Sequence, residues 1–186
     1  MTPLQLLSSR ASVSSRLLLP PGPNADELAQ LLNIAMRVPD HGKLAPWRFL
    51  LIQGDARQRV SERLCARKLV LEPESSADGL EKERQRFLHA PVIVVVITHI
   101  TKPHKIPEVE QLLSAGAVCM QLLNAAAAQG FAGQWLTGWA AYDPDIAQFL
   151  GLRQHEAIAG FIHLGHSESA PPERPRPLLA DKLSSF

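Results

Sequence analysis

A chain of 186 residues with 46% hydrophobic and 20% charged side chains is long enough for one folded domain with a real core. Its formal net charge of +1 lacks the basic excess that a nucleic-acid or membrane-surface binder needs, so neither partner is expected. The two cysteines, Cys65 and Cys119, lie far apart, which argues against a disulfide framework or a thiolate metal site and fits a reducing cytoplasm.

Pro3 to Ser9 is predicted as a short first helix, with Pro3 suited to a first turn. Arg10 to Ser15 is small and polar and reads as a loop, and Pro20 to Pro23 breaks the chain. Asn24 is a credible N-cap for a helix whose apolar stripe is Leu28, Leu31, Leu32, Ala35 and Met36. Arg37 closes that helix, and Arg48 to Gly54 reads as a buried strand. Between them, a loop stiffened by Pro39 and Pro46 carries Arg37, His41, Lys43 and Trp47, a set able to hold donors against a planar anionic ligand.

Asp55 to Val70 is predicted as a surface helix, with Arg57 to Lys68 alternating with Glu as a solvated face. A charged helix follows over Asp78 to Leu88. Pro91 to Thr98, an almost pure Val/Ile run, is a strand buried on both faces. Val109 to Gln129 is apolar nearly all round, with small Ser114, Ala115 and Gly116, and belongs at the centre with neighbours packed close. Gly130 stops it. Phe131 to Thr137 is a short strand or turn, Asp143 to Leu150 a helix, and Ala157 to Leu164 the last strand. From Ser167 to Phe186 the chain is Pro-rich, and Leu178, Leu179, Leu183 and Phe186 require an apolar surface to cover. No apolar stretch reaches membrane-spanning length free of charge, and the N-terminus lacks a basic and then apolar leader, so a cytoplasmic location is expected.

Nothing in the sequence supplies a hydrolase nucleophile, a zinc-protease motif or a glycine-rich dinucleotide turn. His155, His163 and His166 lack a carboxylate or thiolate to complete a metal set, so no metal is expected and these rings are solvated or hydrogen-bonded.

The order of the motifs resembles the FMN-dependent nitroreductase family over essentially the whole chain. These motifs are Arg10-Ala11-Ser12, the loop from Pro39 to Pro46-Trp47, Ser114-Ala115-Gly116, Ala127-Ala128-Gln129-Gly130-Phe131, Trp135-Leu136-Thr137-Gly138 and Arg176-Pro177. The small single-domain NAD(P)H nitroreductase branch is the nearest in pattern, through Arg37-x-Pro39-Asp40-His41 and His104-Lys105-x-Pro107.

The resemblance implies an α+β, three-layer α/β/α fold. Its sheet would be mixed and mainly antiparallel, its central helix apolar, and its C-terminal arm (167–186) would cross to a partner subunit. Residues 1–186 would form one FMN-binding domain, and two copies a homodimer with FMN at the interface. Cofactor contacts would come from Arg10, Ala11, Ser12, Arg37, His41, Trp135, Leu136, Thr137 and Arg176, with Arg10, Ser12 and Arg176 on the phosphate. NAD(P)H contacts are implied over Ala125, Ala126, Ala127, Ala128, Gln129 and Gly130, a run that close helix packing explains equally.

No protein side chain is implied as catalytic, because the chemistry lies on FMN. Hydride from NAD(P)H would pass by ping-pong to a small nitro or quinone-like acceptor. Alternatives on the same fold are flavin breakdown, dehalogenation, enone reduction, or flavin binding without turnover. Three departures from the family pattern bear on the pocket. Ala11 replaces the second Arg of the usual Arg-Arg-Ser, leaving Arg16 as the next cation. Ala45 stands where Gln commonly precedes Pro-Trp, and Leu136 replaces a polar residue.

Overall fold

In a computed structural model, residues 2–169, 171 and 173–186 are described. Met1, and Ala170 and Pro172 within the expected arm, lie outside the described residues.

Helix α1 (Pro3–Ser9) opens on a reciprocal capping box between Thr2 and Gln5. Helix α2 (Ala25–Ala35) opens on the same device, with Asn24 Oδ1 accepting from the Asp26 and Glu27 amides at 3.0 Å each. Strand β1 (Trp47–Gln53), helix α3 (Asp55–Leu71), helix α4 (Ala77–Gln85) and strand β2 (Val92–His99) follow. Helix α5 (Glu108–Ala128) leads through Gly130, at φ 85°, into strand β3 (Ala132–Leu136). Helix α6 (Pro144–Phe149), capped by Asp143, precedes strand β4 (Glu156–Gly165).

The four strands form one sheet in the order β1-β2-β4-β3, and every pairing is antiparallel. This corrects the expectation of a mixed sheet. Strands β2 and β3, joined by the single helix α5, do run the same way, but β4 is inserted between them and is antiparallel to both. Between β1 and β2 the helical hairpin α3–α4 adds one further reversal, which again brings neighbours in opposite directions.

The sheet separates two cores. On one face Val60 and Leu64 of α3, Phe87, Ala140, Ala141 and Ile146 pack against Ile93, Val95, Ile97 and Phe161. On the other, Leu28, Leu31 and Ala35 of α2 and Val118, Cys119, Leu122 and Ala126 of α5 pack against Val94, Val96, Ile162 and Leu164. Helix α5 is, among the described residues, the one element long and apolar enough to cross a membrane, contrary to the expectation that no such stretch exists. Its flanks against the sheet and α2 account for this: half of its most apolar window is buried, as in a core helix.

Of the four arginines of α3, only Arg59 stands on the solvated face that their spacing predicts. Arg57 donates to the carbonyls of Leu88 and Ala90, at 3.0 Å each, Arg63 pairs with Asp145, and Arg67 with Asp143 at 3.0 Å. Alternation along a helix specifies which side chains share a face. Whether that face meets water depends on what packs beside it, here α4 and α6.

Candidate functional site

A cavity of about 890 Å³ opens on the face of the sheet that carries α3 and α4. One wall is the segment Ser14, Ser15 and Arg16, and the other is α4 with Arg86 and His89 beyond its end. Gln134, Leu136, Thr137 and Gly138 line the rest. Two anchors fix α4 there: Ser76 caps it on the Gly79 amide at 3.1 Å, and Ser61 of α3 donates to the Arg84 carbonyl at 2.7 Å. The opposite wall is tied to β3, where the Val13 amide donates to the Gly133 carbonyl at 3.2 Å. The Ser15 amide donates to Gln134 Oε1 at 2.6 Å.

Gly138 is at φ 76°, and a β-carbon there would come within 2.7 Å of Arg86 Nη1. Glycine thus meets two requirements at once, the left-handed turn out of β3 and room for a guanidinium. Buried Glu83 holds that guanidinium, accepting from Arg86 Nη2 at 3.0 Å and from Trp139 Nε1 at 3.1 Å. Arg84 is likewise paired, with Glu81 at 3.2 Å. Arg16 and Lys82 have no ion-pair partner among the described residues, and neither has the carboxylate of Asp78, which lines the same cavity.

Burial, and then the charge of Arg16, depresses His89. His163, paired with Gln134 across β3 and β4, is almost wholly buried. Desolvation, then Arg86 and His89, lowers it to about 4, and its Nδ1 has no partner. This ring is neither solvated nor hydrogen-bonded at Nδ1, unlike the sequence-based expectation. His166 does follow it, with Nδ1 2.6 Å from the Pro21 carbonyl oxygen. Among the described residues no cluster suited to a metal ion occurs.

Of the residues that the resemblance nominates, Leu136 and Thr137 line this cavity. Trp135 points to the other face of the sheet, as alternation along a strand requires. There the register of β2 on β4 skips Ala159, leaving its carbonyl free, and the Trp135 indole donates to it at 3.1 Å while lying against Gly160. Arg10 is half-buried at the end of α1, and Ala11 and exposed Ser12 lead from it to the cavity wall without lining it.

Arg37 and His41 stand elsewhere. His41 Nδ1 lies 2.7 Å from Glu110 Oε2 at a shallow depression of about 300 Å³ shared with Pro39, Leu113, Ser114 and Ala117. Their loop is strained: Gly42, Lys43 and Ala45 have φ of 74°, 55° and 46°, while Asp40 accepts from the Ala45 amide at 2.8 Å. Arg176 is exposed in the tail beside Glu173, 3.3 Å away. Ala125 and Ala126 are buried in the α5 core, and Gln129 bonds Gln30 at 2.8 Å.

Sequence reading missed Gln134, Lys82, Glu83, Arg86 and His89 as cavity residues. Their signal was present: a charged helix ending in Arg-x-x-His immediately before a fully buried strand, and alternation along β3.

A sequence model of the Nitroreductase family matches residues 7–166. The chain is 36% identical over 170 residues to the Escherichia coli (strain K12) protein named Putative NAD(P)H nitroreductase YdjA, covering 89% of this chain and 88% of that one. A crystal structure of a nitroreductase-like family protein from Bacillus cereus superposes with a TM-score of 0.86 at 24% identity, covering 100% of this chain and 96% of the other. A protein described as a "putative nitroreductase" from Desulfovibrio desulfuricans, crystallised in complex with FMN, superposes with a TM-score of 0.75 at 22% identity, covering 99% of this chain and 96% of the other.

Proposed function

Because this chain belongs to the nitroreductase family, we propose that it is an FMN-dependent oxidoreductase that takes hydride from NAD(P)H and reduces nitro or quinone-like acceptors. The observation that carries this reading is the cavity on β3, large enough for a flavin and lined by the unpaired cations Arg16 and Lys82 together with the carboxylate of Asp78. That donor set suits an anionic ligand with a planar, acceptor-rich head. Bound FMN would supply the two-electron chemistry in a ping-pong cycle, serving NAD(P)H and then the acceptor on one face.

The protein's part is binding, orientation and charge. Arg10 and Ser12 sit one short segment upstream of the cavity wall and meet the phosphate together with Arg176 of the tail. Each charge-assisted contact is worth roughly 1.5–3 kcal/mol. Arg16 replaces the cation missing at Ala11, and Leu136 and Thr137 lie along the ring. Burial assigns packing to Ala125 and Ala126, which leaves Ala127 to Gly130 as the part of that run open to NAD(P)H.

Residues 1–186 act as one domain, and two copies form the working unit. The outer face of α5, with exposed Val109, Leu112 and Leu113, and of α1, with Leu4 and Leu7, is the apolar surface that a second copy covers. His41 lies at the margin of that face, beside Leu113, so the dimer carries Arg37 and His41 toward the partner's flavin.

The decisive experiment is the visible spectrum of the purified protein before and after anaerobic NADPH or NADH. A flavin spectrum that bleaches is expected. A protein that stays colourless after incubation with FMN and gel filtration overturns the reading, and one that binds FMN without bleaching is a carrier. Arg10→Ala should yield a folded protein with FMN affinity lowered roughly ten- to a hundredfold.

A further inference from the structure

Gln134 stands out in the cavity because its amide is oriented by chemistry. The Ser15 backbone N–H can only donate, so the atom 2.6 Å from it must be the amide oxygen. The NH₂ group is thereby turned away from that wall. It has no hydrogen-bond partner among the described residues, and it is not among the buried polar atoms left without one. As Gln134 lines the cavity, its two N–H donors are presented there.

The neighbourhood keeps this donor in place. The carboxamide is fixed at its oxygen by the Ser14–Arg16 segment, and that segment is itself held to β3 by the Val13 amide. Across the ladder lies His163, neutral and buried, which brings no competing charge. An uncharged N–H beside Leu136 suits a carbonyl or ring-nitrogen acceptor better than a phosphate, for which charged Arg10 and Arg176 are proposed above.

We propose that Gln134 is a cofactor-tuning residue whose fixed amide N–H donates to an acceptor atom of the flavin ring and favours its two-electron reduced, more negative form. The proposal rests on FMN occupying this cavity, as set out above. A hydrogen bond to a charged acceptor is about twice as strong as one to a neutral acceptor. Removing the donor should therefore weaken binding of the reduced form about tenfold more than that of the oxidised form. For a two-electron couple, tenfold corresponds to a fall of about 30 mV in the midpoint potential.

The test compares Gln134→Leu, Arg16→Ala and the wild-type holoprotein by FMN titration and by potentiometry against a reference dye. A lower potential in Gln134→Leu supports the assignment. An unchanged potential with weakened FMN binding means that Gln134 only clamps the Ser15 wall, and overturns it. If Gln134→Leu folds poorly, Gln134→Glu keeps an oxygen for the Ser15 N–H, and an unchanged potential there overturns the proposal equally. Arg16 is exposed and makes no side-chain hydrogen bond among the described residues, so Arg16→Ala tests the location without disturbing the fold. If wild type binds FMN while neither variant changes affinity or potential, the cavity reading itself has failed. If Arg16→Ala weakens binding and Gln134→Leu leaves the potential unchanged, only the Gln134 assignment has.

Discussion

The two faces of the sheet are built from the same strands but to different rules. Beneath α2 and α5 the core is aliphatic, with Leu28, Leu31, Val118, Cys119 and Leu122 closing on valines and isoleucines of the sheet. Burial there pushes the Cys119 thiol up to about 12, as expected of a small apolar filler. Beneath α3, α4 and α6 the interior admits Ser61, Glu83, Asp143 and His163, each buried, and leaves the cavity open. The buried polar residues on the side of α2 and α5, Gln111 and Ser114 of α5, lie outside the aliphatic core, bonded to Thr101, Ile106 and Pro39. The other face carries buried polar groups around its cavity, and most of these are partnered.

Four measurements test that division. The largest effect is expected from Leu122→Ala on the apolar face, where a fully buried leucine is truncated. Chemical denaturation should show a loss of about 2–5 kcal/mol, with FMN affinity in the surviving folded protein unchanged.

On the polar face the next effect depends on pH. His163 is depressed in the folded state to about 4, so its contribution is present above its unfolded pKa near 6.5 and disappears as pH falls toward 4. Each unit is worth about 1.4 kcal/mol, so a loss of about 3 kcal/mol is expected across that window. Glu156, held down to about 2 chiefly by its hydrogen bond from Arg48, adds a second, lower window between about pH 4.5 and 2. His163→Phe should shrink the upper step in a plot of melting temperature against pH to the part left by depressed His89, and leave the lower one.

A third effect, of about 2 kcal/mol, is expected for Arg67→Ala. Burial alone would raise Asp143, but the Ile146 amide, Arg67 and the Asp145 amide together hold it below its ordinary value. Removing Arg67 leaves a buried carboxylate with only its capping bonds. The smallest effect, about 1 kcal/mol, is expected for Asn24→Ala at the start of α2, read by thermal melting with the flavin spectrum unaltered.

Most elements were legible in the chain because each rests on local chemistry. Asn24, Asp143 and Pro3 mark helix starts, Gly130 a helix stop, and the Val/Ile run of β2 a strand covered on both faces. The candidate site was legible only in part. Leu136 and Thr137 lie in contiguous sequence and reached the cavity, whereas Gln134, Arg86 and Glu83 belong to it through the meeting of β3 with α4, about 50 residues apart along the chain.

The sequence alone determined the helices, the strands, the central apolar helix and the family pattern, since periodicity, caps and short motifs act within a few residues. Tertiary structure alone decided three things. It placed β4 between β2 and β3, making the sheet wholly antiparallel. It turned Arg57, Arg63 and Arg67 of α3 from solvent to Asp143, Asp145 and the carbonyls before β2. It also gave Gln134 its orientation, because the partner that fixes the amide lies 119 residues away on another strand of chain, at a distance no local rule can set.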